Sequence, residues 1–470
     1  MSDTTHLREI ALGHIRAQSA AIHALGERLR SNPETGFFET GTSRILAEAL
    51  RSLGAEVETG LAITGLKASV GPLGAPEIIL LADMDALPTA GVPGGVAHSC
   101  GHNAQMTVMF AVFSALVRAD APEREGFRLS FLASPAEEYA ELDRRMEFRA
   151  EGRIRYLSGK QELLWLGAFD KALAVLKYHS MSDSPQRRAV VNGTLNGFMA
   201  KKAIFIGKSA HSGAHPHDGI NALNAATIAL QAIHSQRETF KDEDHVRVHP
   251  IMREGGTTVN TVPERAILET YVRGADNDAV RDAARKVDRA LAAGAIAVGA
   301  SVRIIDTPGY QAFDPSPELG EIVGRAAMEI LPEKDIDFHD RSSASDDIGD
   351  VACLFPTCQL AWSGFSGTIH AADFMPSDLD RAYIEPALAL AAAAIDLGAN
   401  GAALAKAAHK TFKPKFTKEA YLAALDAQFA DRTIFWEPPE SAAPNSRTGT
   451  ARDGSKGAPQ GRAPSDGPSA

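Results

Sequence analysis

Ile79-Leu80-Leu81-Ala82-Asp83-Met84-Asp85-Ala86-Leu87-Pro88 is an unbroken apolar run that ends in two carboxylates and a proline. Apolar residues without alternation are the pattern of a strand buried on both faces, as in a parallel sheet covered by helices. In such sheets the site lies beyond the carboxyl ends of the strands, where the acids of this run fall. Two further runs repeat the design. Phe127-Arg128-Leu129-Ser130-Phe131-Leu132-Ala133-Ser134 is stopped by Pro135 and followed by Ala136-Glu137-Glu138. Ala174-Val175-Leu176-Lys177-Tyr178-His179 reads as a strand ending in a histidine. Three strands that each deliver a ligand or a base to one sheet edge are the layout of an active site.

Working outward, residues 4–31 carry helical spacing (Leu7, Ile10, Ala11, Ile15) up to the breaker Asn32-Pro33-Glu34-Thr35-Gly36, and Ser43 to Leu53 reads as a second helix. Helices alternating with strands predict a mainly parallel α/β sheet covered on both faces. Residues 139–176 are charge-dense and longer than a simple connection, which reads either as a solvated helix pair or as a specificity element over the site. From Gly193 to Thr307 the order strand, helix, strand, strand, helix, strand predicts a separate α+β domain with a four-stranded sheet. The α/β pattern resumes from Gly309. The predicted organisation is therefore a catalytic domain in two parts, 1–192 and 308–430, with a lid domain, 193–307, inserted between them. A Pro-, Gly-, Ser- and Ala-rich tail over 438–470 is predicted to be disordered.

The chemistry centres on Ala97-His98-Ser99-Cys100-Gly101-His102-Asn103. In an extended loop, side chains two apart point the same way, and Gly101 lets the backbone bend so that Cys100 and His102 reach one cation. A thiolate with an imidazole suits zinc and other transition metals. Taken together, Asp83-Met84-Asp85-Ala86-Leu87-Pro88, the Cys-Gly-His turn, Pro135-Ala136-Glu137-Glu138 and the strand-end His179 resemble the M20 family of metal-dependent amidohydrolases and peptidases. The resemblance is nearest to the branch with aminoacylases, indole-acetyl-amino-acid hydrolases and aminobenzoyl-glutamate hydrolases. Gly207-Lys208-Ser209-Ala210-His211-Ser212-Gly213 and Thr258-Val259-Asn260-Thr261-Val262-Pro263 are similar to motifs of that family's smaller domain. The resemblance covers roughly residues 10–410.

What the resemblance implies is specific. The fold is an α/β catalytic domain with a two-metal site plus an inserted ferredoxin-like lid and dimerisation domain. Two divalent cations, zinc or manganese, are held by Cys100, His102, Glu138, His179 and His370. Glu137 is the general base, receiving a proton from metal-bound water and returning it to the leaving amine. Read from the residues alone, Glu137 and Glu138 could also be two acids in a first helical turn. Asp85 fixes the tautomer of a ligand histidine, and Asp83 is left out of the ligand set. His211 reaches a neighbouring subunit's site and stabilises the oxyanion. Asn260 and Arg273 sit on lid strands, where Arg273 binds a substrate carboxylate or makes a surface salt bridge. Asn103, Ser345-Asp346-Asp347-Ile348 and Leu81 depart from the commoner aminoacylase pattern, and the first two resemble the aminobenzoyl-glutamate hydrolase branch and favour an aromatic substrate.

The chain has 470 residues, 44% hydrophobic and 23% charged, with a formal net charge of −11. No basic patch suits nucleic acid. Three cysteines build no disulfide framework. No signal-peptide core interrupts Met1 to Gly26, and no apolar run reaches a membrane span, so a cytoplasmic homo-oligomer acting on a small, carboxylate-bearing molecule is expected. The leading expectation is hydrolysis of the amide of an N-acyl or aminobenzoyl amino acid. A second is displacement of an amine from an activated aromatic ring, as in a 5-nitroanthranilic acid aminohydrolase. A third, a non-catalytic binding protein, would call for a lost ligand or base, and none is lost.

Overall fold

In a computed structural model, which describes residues 3–435, the run Ile79 to Asp83 lies in the strand Glu77–Asp83, buried along its whole length. The tail expected over 438–470 lies outside the described residues. Glu77–Asp83 pairs in parallel with Arg128–Ser134 on one side and Ala172–Ser182 on the other, and Thr357–Ser366 continues the parallel set. Outside this centre antiparallel pairs enter the nine-stranded sheet: Gly65–Val70 and Glu56–Leu61 extend one flank, and on the other Ala189–Val191 pairs antiparallel with Thr357–Ser366 and parallel with Ile336–Asp337. The sheet is thus mixed around a parallel core. Parallel neighbours need helical crossovers, and helix His102–Arg118 supplies the first.

Alternate residues of the central strand feed two cores. Ile78, Leu80 and Ala82 pack into a cluster with helices Asp3–Ala17, His102–Arg118 and Glu385–Thr411. Ile79 and Leu81 face a second cluster with helices Gly159–Leu166 and Lys418–Asp426. The single N-terminal helix expected over 4–31 is two, Asp3–Ala17 and Ser19–Arg30, because Gln18 leaves helical backbone at φ −100°, ψ 9°. One element not anticipated as a long apolar run, Asp380–Thr411, has the length and composition of a membrane span. Two thirds of its apolar window (67%) is buried in the protein, as in a core helix.

The lid sheet is antiparallel throughout. Its order is Arg247–Val248, Arg265–Gly274, Gly197–Ile206, Ser301–Pro308 and Ala430–Ile434, with Ile251–Glu254 also pairing with Arg265–Gly274. It departs from the expected four strands in two ways. The second predicted strand is two short pieces, Arg247–Val248 and Ile251–Glu254, and Ala430–Ile434 returns from beyond the second catalytic segment to join the sheet. Helices Ala222–Ser235 and Asn277–Ala297 cover one face. The other face looks onto the catalytic domain.

Candidate active site

A cavity of about 780 Å³ separates the lid from the catalytic sheet; Cys100, Glu137, Glu138, His179 and His370 form one wall, Phe198, Tyr271 and Arg273 line it from the lid, and Tyr310 lies against the glutamate turn. The local backbone explains how the first wall is made. Cys100 and His102 do not sit in the extended loop expected. Gly101 adopts φ 80°, ψ 23° and starts helix His102–Arg118, of which His102 is the first residue. Only glycine fits: its backbone is left-handed, and a Cβ there would lie 2.1 Å from Ser180 Oγ. His179 likewise is not at a strand end, since its strand runs on to Ser182.

The donors converge. Cys100 Sγ lies 3.8 Å from His179 Nε2, and Glu138 Oε1 lies 3.9 Å from His102 Nε2 and 3.3 Å from His370 Nε2. Two buried atoms of this set, His102 Nε2 and Glu138 Oε1, have no hydrogen-bond partner among the described residues. Two of the three imidazoles, His102 and His179, are oriented from behind. His102 Nδ1 donates to Asp85 O at 2.8 Å with Asp85 Oδ1 at 3.2 Å, and His179 Nδ1 donates to Ser180 O at 2.7 Å. Both Nε2 atoms are thereby turned toward the same space. Burial, with Lys177 beyond it, lowers the His179 pKa to about 4, so its ring is neutral with a free lone pair. Burial also disfavours charge on His102, but the hydrogen bond and charge of Asp85 outweigh it and raise that pKa to about 9. The Cys100 thiol is pushed well up by burial and by Glu138 and Glu137, so a nearby cation is what would make it a thiolate. Soft sulfur, imidazole and carboxylate around two orphaned atoms fit a transition-metal site.

The turn that presents the two glutamates is held at nearly every backbone group. Ala136 sits at φ 52°, a left-handed conformation costly for a residue with a Cβ. Its N–H donates to Glu39 Oε1 at 2.8 Å, and its carbonyl accepts from Arg145 Nη1 at 3.0 Å. Arg145 Nη2 donates to Glu138 O, and Tyr310 Oη to Glu137 O. Glu138 N donates to Asp85 Oδ2 at 2.9 Å. Asp85 therefore orients both a ring and the glutamate turn. Glu137 Oε2 ends 3.7 Å from His102 Nε2. Burial, together with Asp346, Glu138, Asp83 and Asp347, raises its pKa well above the usual carboxyl range.

Beneath these residues lies a charge cluster that sequence reasoning missed. Lys160 and Lys177 are fully buried. Lys160 Nζ bonds Asp83 and Asp347, while Lys177 Nζ bonds Asp346 and lies 2.6 Å from Asp83 Oδ2. Burial opposes charge on Asp83 and Asp346, but the two ammonium groups prevail and hold both carboxyls below their usual range. Lys177 carried a signal, a lone cation inside an apolar strand two residues before His179. Lys160 and Arg145 carried none, because both stand in the polar-looking excursion 139–176. That segment is neither a solvated helix pair nor only a cover: helix Gly159–Leu166 is largely core, and Arg145 is buried against the glutamate turn.

The lid residues divide. Arg273 lines the cavity, donating from Nη1 to Ser345 Oγ at 2.9 Å and from Nε to His249 Nε2 at 3.3 Å, with its guanidinium 5.5 Å from the Phe198 ring centroid. It makes no surface salt bridge among the described residues. His211 and Asn260 are exposed and outside this chain's cavity. His211 Nδ1 accepts from Gly213 N and Ala214 N, both at 3.1 Å, which leaves Nε2 as the donor nitrogen of the ring.

The sheet covered by helices on both faces, with an inserted antiparallel lid, is shared by proteins of known structure. Residues 194–298 match the profile described as a peptidase dimerisation domain of M20 type. The chain is 27% identical to the Xaa-Arg dipeptidase of Mus musculus over 374 residues, 76% of this chain and 78% of that protein. It is 25% identical to the hippurate hydrolase of Campylobacter jejuni over 354 residues, 71% of this chain and 85% of that protein. A dinuclear metal-binding peptidase of the M20 family from Bacillus subtilis superposes with a TM-score of 0.62 at 18% identity, covering 81% of this chain and 99% of that structure. Residues 194–298 thus carry a peptidase dimerisation domain of M20 type, and the chain is similar over most of its length to hydrolases such as these.

Proposed function

We propose that this enzyme hydrolyses the amide bond of an N-acyl or aminobenzoyl amino acid, with Glu137 as general base. The observation that carries the reading is the pair of buried, unpartnered atoms, His102 Nε2 and Glu138 Oε1, facing one space beside Glu137. Cys100, His102, Glu138, His179 and His370 would hold two divalent cations, which supply activation of water and polarisation of the carbonyl. Glu137 takes the proton of the attacking water on its carboxylate and delivers it to the leaving nitrogen. Arg273 has no carboxylate partner among the described residues, and its guanidinium takes the substrate carboxylate. His211 of one subunit donates from Nε2 to the developing oxyanion in the site of another. Displacement of an amine from an activated aromatic ring is a second reading, favoured by Phe198, Tyr271 and Tyr310 in the cavity wall. One experiment tests both. Chelated protein is reloaded with zinc or manganese and offered N-acyl amino acids, aminobenzoyl-glutamate and nitroanilines, with release of amine or ammonia as the readout. Activity should vanish on chelation and return with metal; full activity in metal-free protein rules the proposal out.

A further inference from the structure

A second cavity of about 740 Å³ adjoins the first, and Tyr139, Ala140, His249 and Tyr271 line both. Its floor is the same face of the lid sheet, against which Tyr139 packs where the two cavities meet, its carbonyl accepting from Tyr271 Oη at 2.6 Å. Side chains two apart on a strand share a face, and on Arg265–Gly274 the sequence Arg273, Tyr271, Glu269 passes from the first cavity into the second. On the neighbouring strand Phe198, Ala200 and Lys202 make the same passage. Four residues of strand measure about 13 Å, the length of this track. The roof is Leu142 and Met146 on helix Leu142–Ala150, part of the charge-dense excursion.

We infer that this annex is a substrate subsite for an elongated, uncharged apolar arm of the molecule cleaved at Glu137. The inference rests on the function proposed above. Continuity of the lid-sheet floor makes the arm and the scissile group parts of one ligand. The chemistry of the walls decides what the arm is. Leu142, Met146, Ile305 and Tyr271 offer apolar surface. The cations at the rim are already held: Lys202 by Asp143 at 2.9 Å, Arg253 by Glu269 at 3.3 Å, Arg144 by Glu147 at 2.8 Å and Lys201 by Asp306 at 2.8 Å. An anionic arm would have to displace one of these partners, whereas an alkyl or aryl arm is driven in by burial.

The probes are the straight-chain carboxylates from acetate to dodecanoate, which cannot be hydrolysed, titrated calorimetrically into the metal-loaded full-length enzyme. Decanoate should bind at least tenfold more tightly than acetate. Met146→Trp and Leu142→Trp, each filling the annex from the roof, should bring decanoate down to the affinity of acetate and leave acetate unchanged. Thermal melts and metal content check that each variant is folded. Equal affinity along the series, or a chain-length preference that survives both tryptophans in folded protein, overturns the inference. Chain-length-dependent binding without cleavage of any N-acyl amino acid would instead sink the proposed function and leave the annex standing.

Discussion

Glu137 and Glu138 are chemically identical neighbours, and only their surroundings separate their roles. Glu138 Oε1 faces two imidazoles, whereas Glu137 is walled in by other carboxyls whose charge disfavours its own. Glu137→Gln keeps the shape and removes the basicity. It should leave metal content unchanged and lower kcat by about 10²–10⁴, the range for general acid–base catalysis. A parallel fall in bound metal, measured by elemental analysis, would make Glu137 a ligand instead. A second buried carboxyl bears on stability. Asp350 accepts from Tyr421 Oη at 2.7 Å and Gln161 Nε2 at 3.3 Å, and burial raises its pKa from 3.8 to about 7. Between those two values the folded protein keeps a proton that the unfolded chain releases. This group therefore favours folding fully below pH 3.8, and its contribution is lost as pH rises toward 7, at up to about 1.4 kcal/mol per pH unit. Asp350→Asn cannot titrate. Denaturant unfolding at about pH 5 and about pH 7 should show the parent losing more stability across that interval than the variant; parallel profiles would contradict the assignment.

Strand Ala172–Ser182 puts Lys177 and His179 on one face, so a single element supplies both a candidate ligand and a buttress beneath the site. Removing one partner of a buried ion pair strands the other. Lys177→Met should therefore cost about 3–5 kcal/mol in denaturant unfolding, with Asp83 and Asp346 left short of a counter-charge. A loss below about 1 kcal/mol, as for exposed ion pairs, would mean that the cluster is wet and dispensable. The same elements mark what could be read in advance. The run 79–83 announced a doubly buried strand, and the spacing of lid helices and strands announced a separate α+β domain, because burial patterns repeat with the period of the element. Cys100, Glu138, His179 and His370 could be picked out from their motifs, though the turn at Gly101 could not, since its tightness depends on Ser180 across the sheet. Lys160 and Arg145 were illegible for a related reason. Their burial is decided by partners 77 residues away at Asp83 or on carbonyl groups, and carbonyls leave no mark in a sequence.

At the level of the assembled molecule, His211 is the residue that a single chain leaves outside its site. It caps its own turn through Nδ1, and that bond leaves Nε2 as the donor nitrogen of the ring. His211→Ala and Glu137→Gln, each inactive alone, should restore activity when their subunits are exchanged, because a mixed pair holds one site with both residues intact. Verified mixed oligomers that stay inactive would end the shared-site reading. The lid also has a mechanical property. The chain enters it at Gly197, leaves it at Pro308 and returns at Ala430, and these points lie on three neighbouring strands at the same end of the sheet, as Met199 opposite Pro308 and Asp306 opposite Ala430 establish. Three attachments, each one strand spacing of about 4.8 Å from the next, form a line, not a pivot. A body hung from a line can swing but cannot twist. Phe198 and Arg273 sit beside that line, while Lys202 and Glu269 lie four residues further along their strands, where Lys202 bonds Asp143 across the gap. Any opening of the lid therefore parts the annex first and widest, and the arm of a ligand is the last part to be gripped and the first to be released.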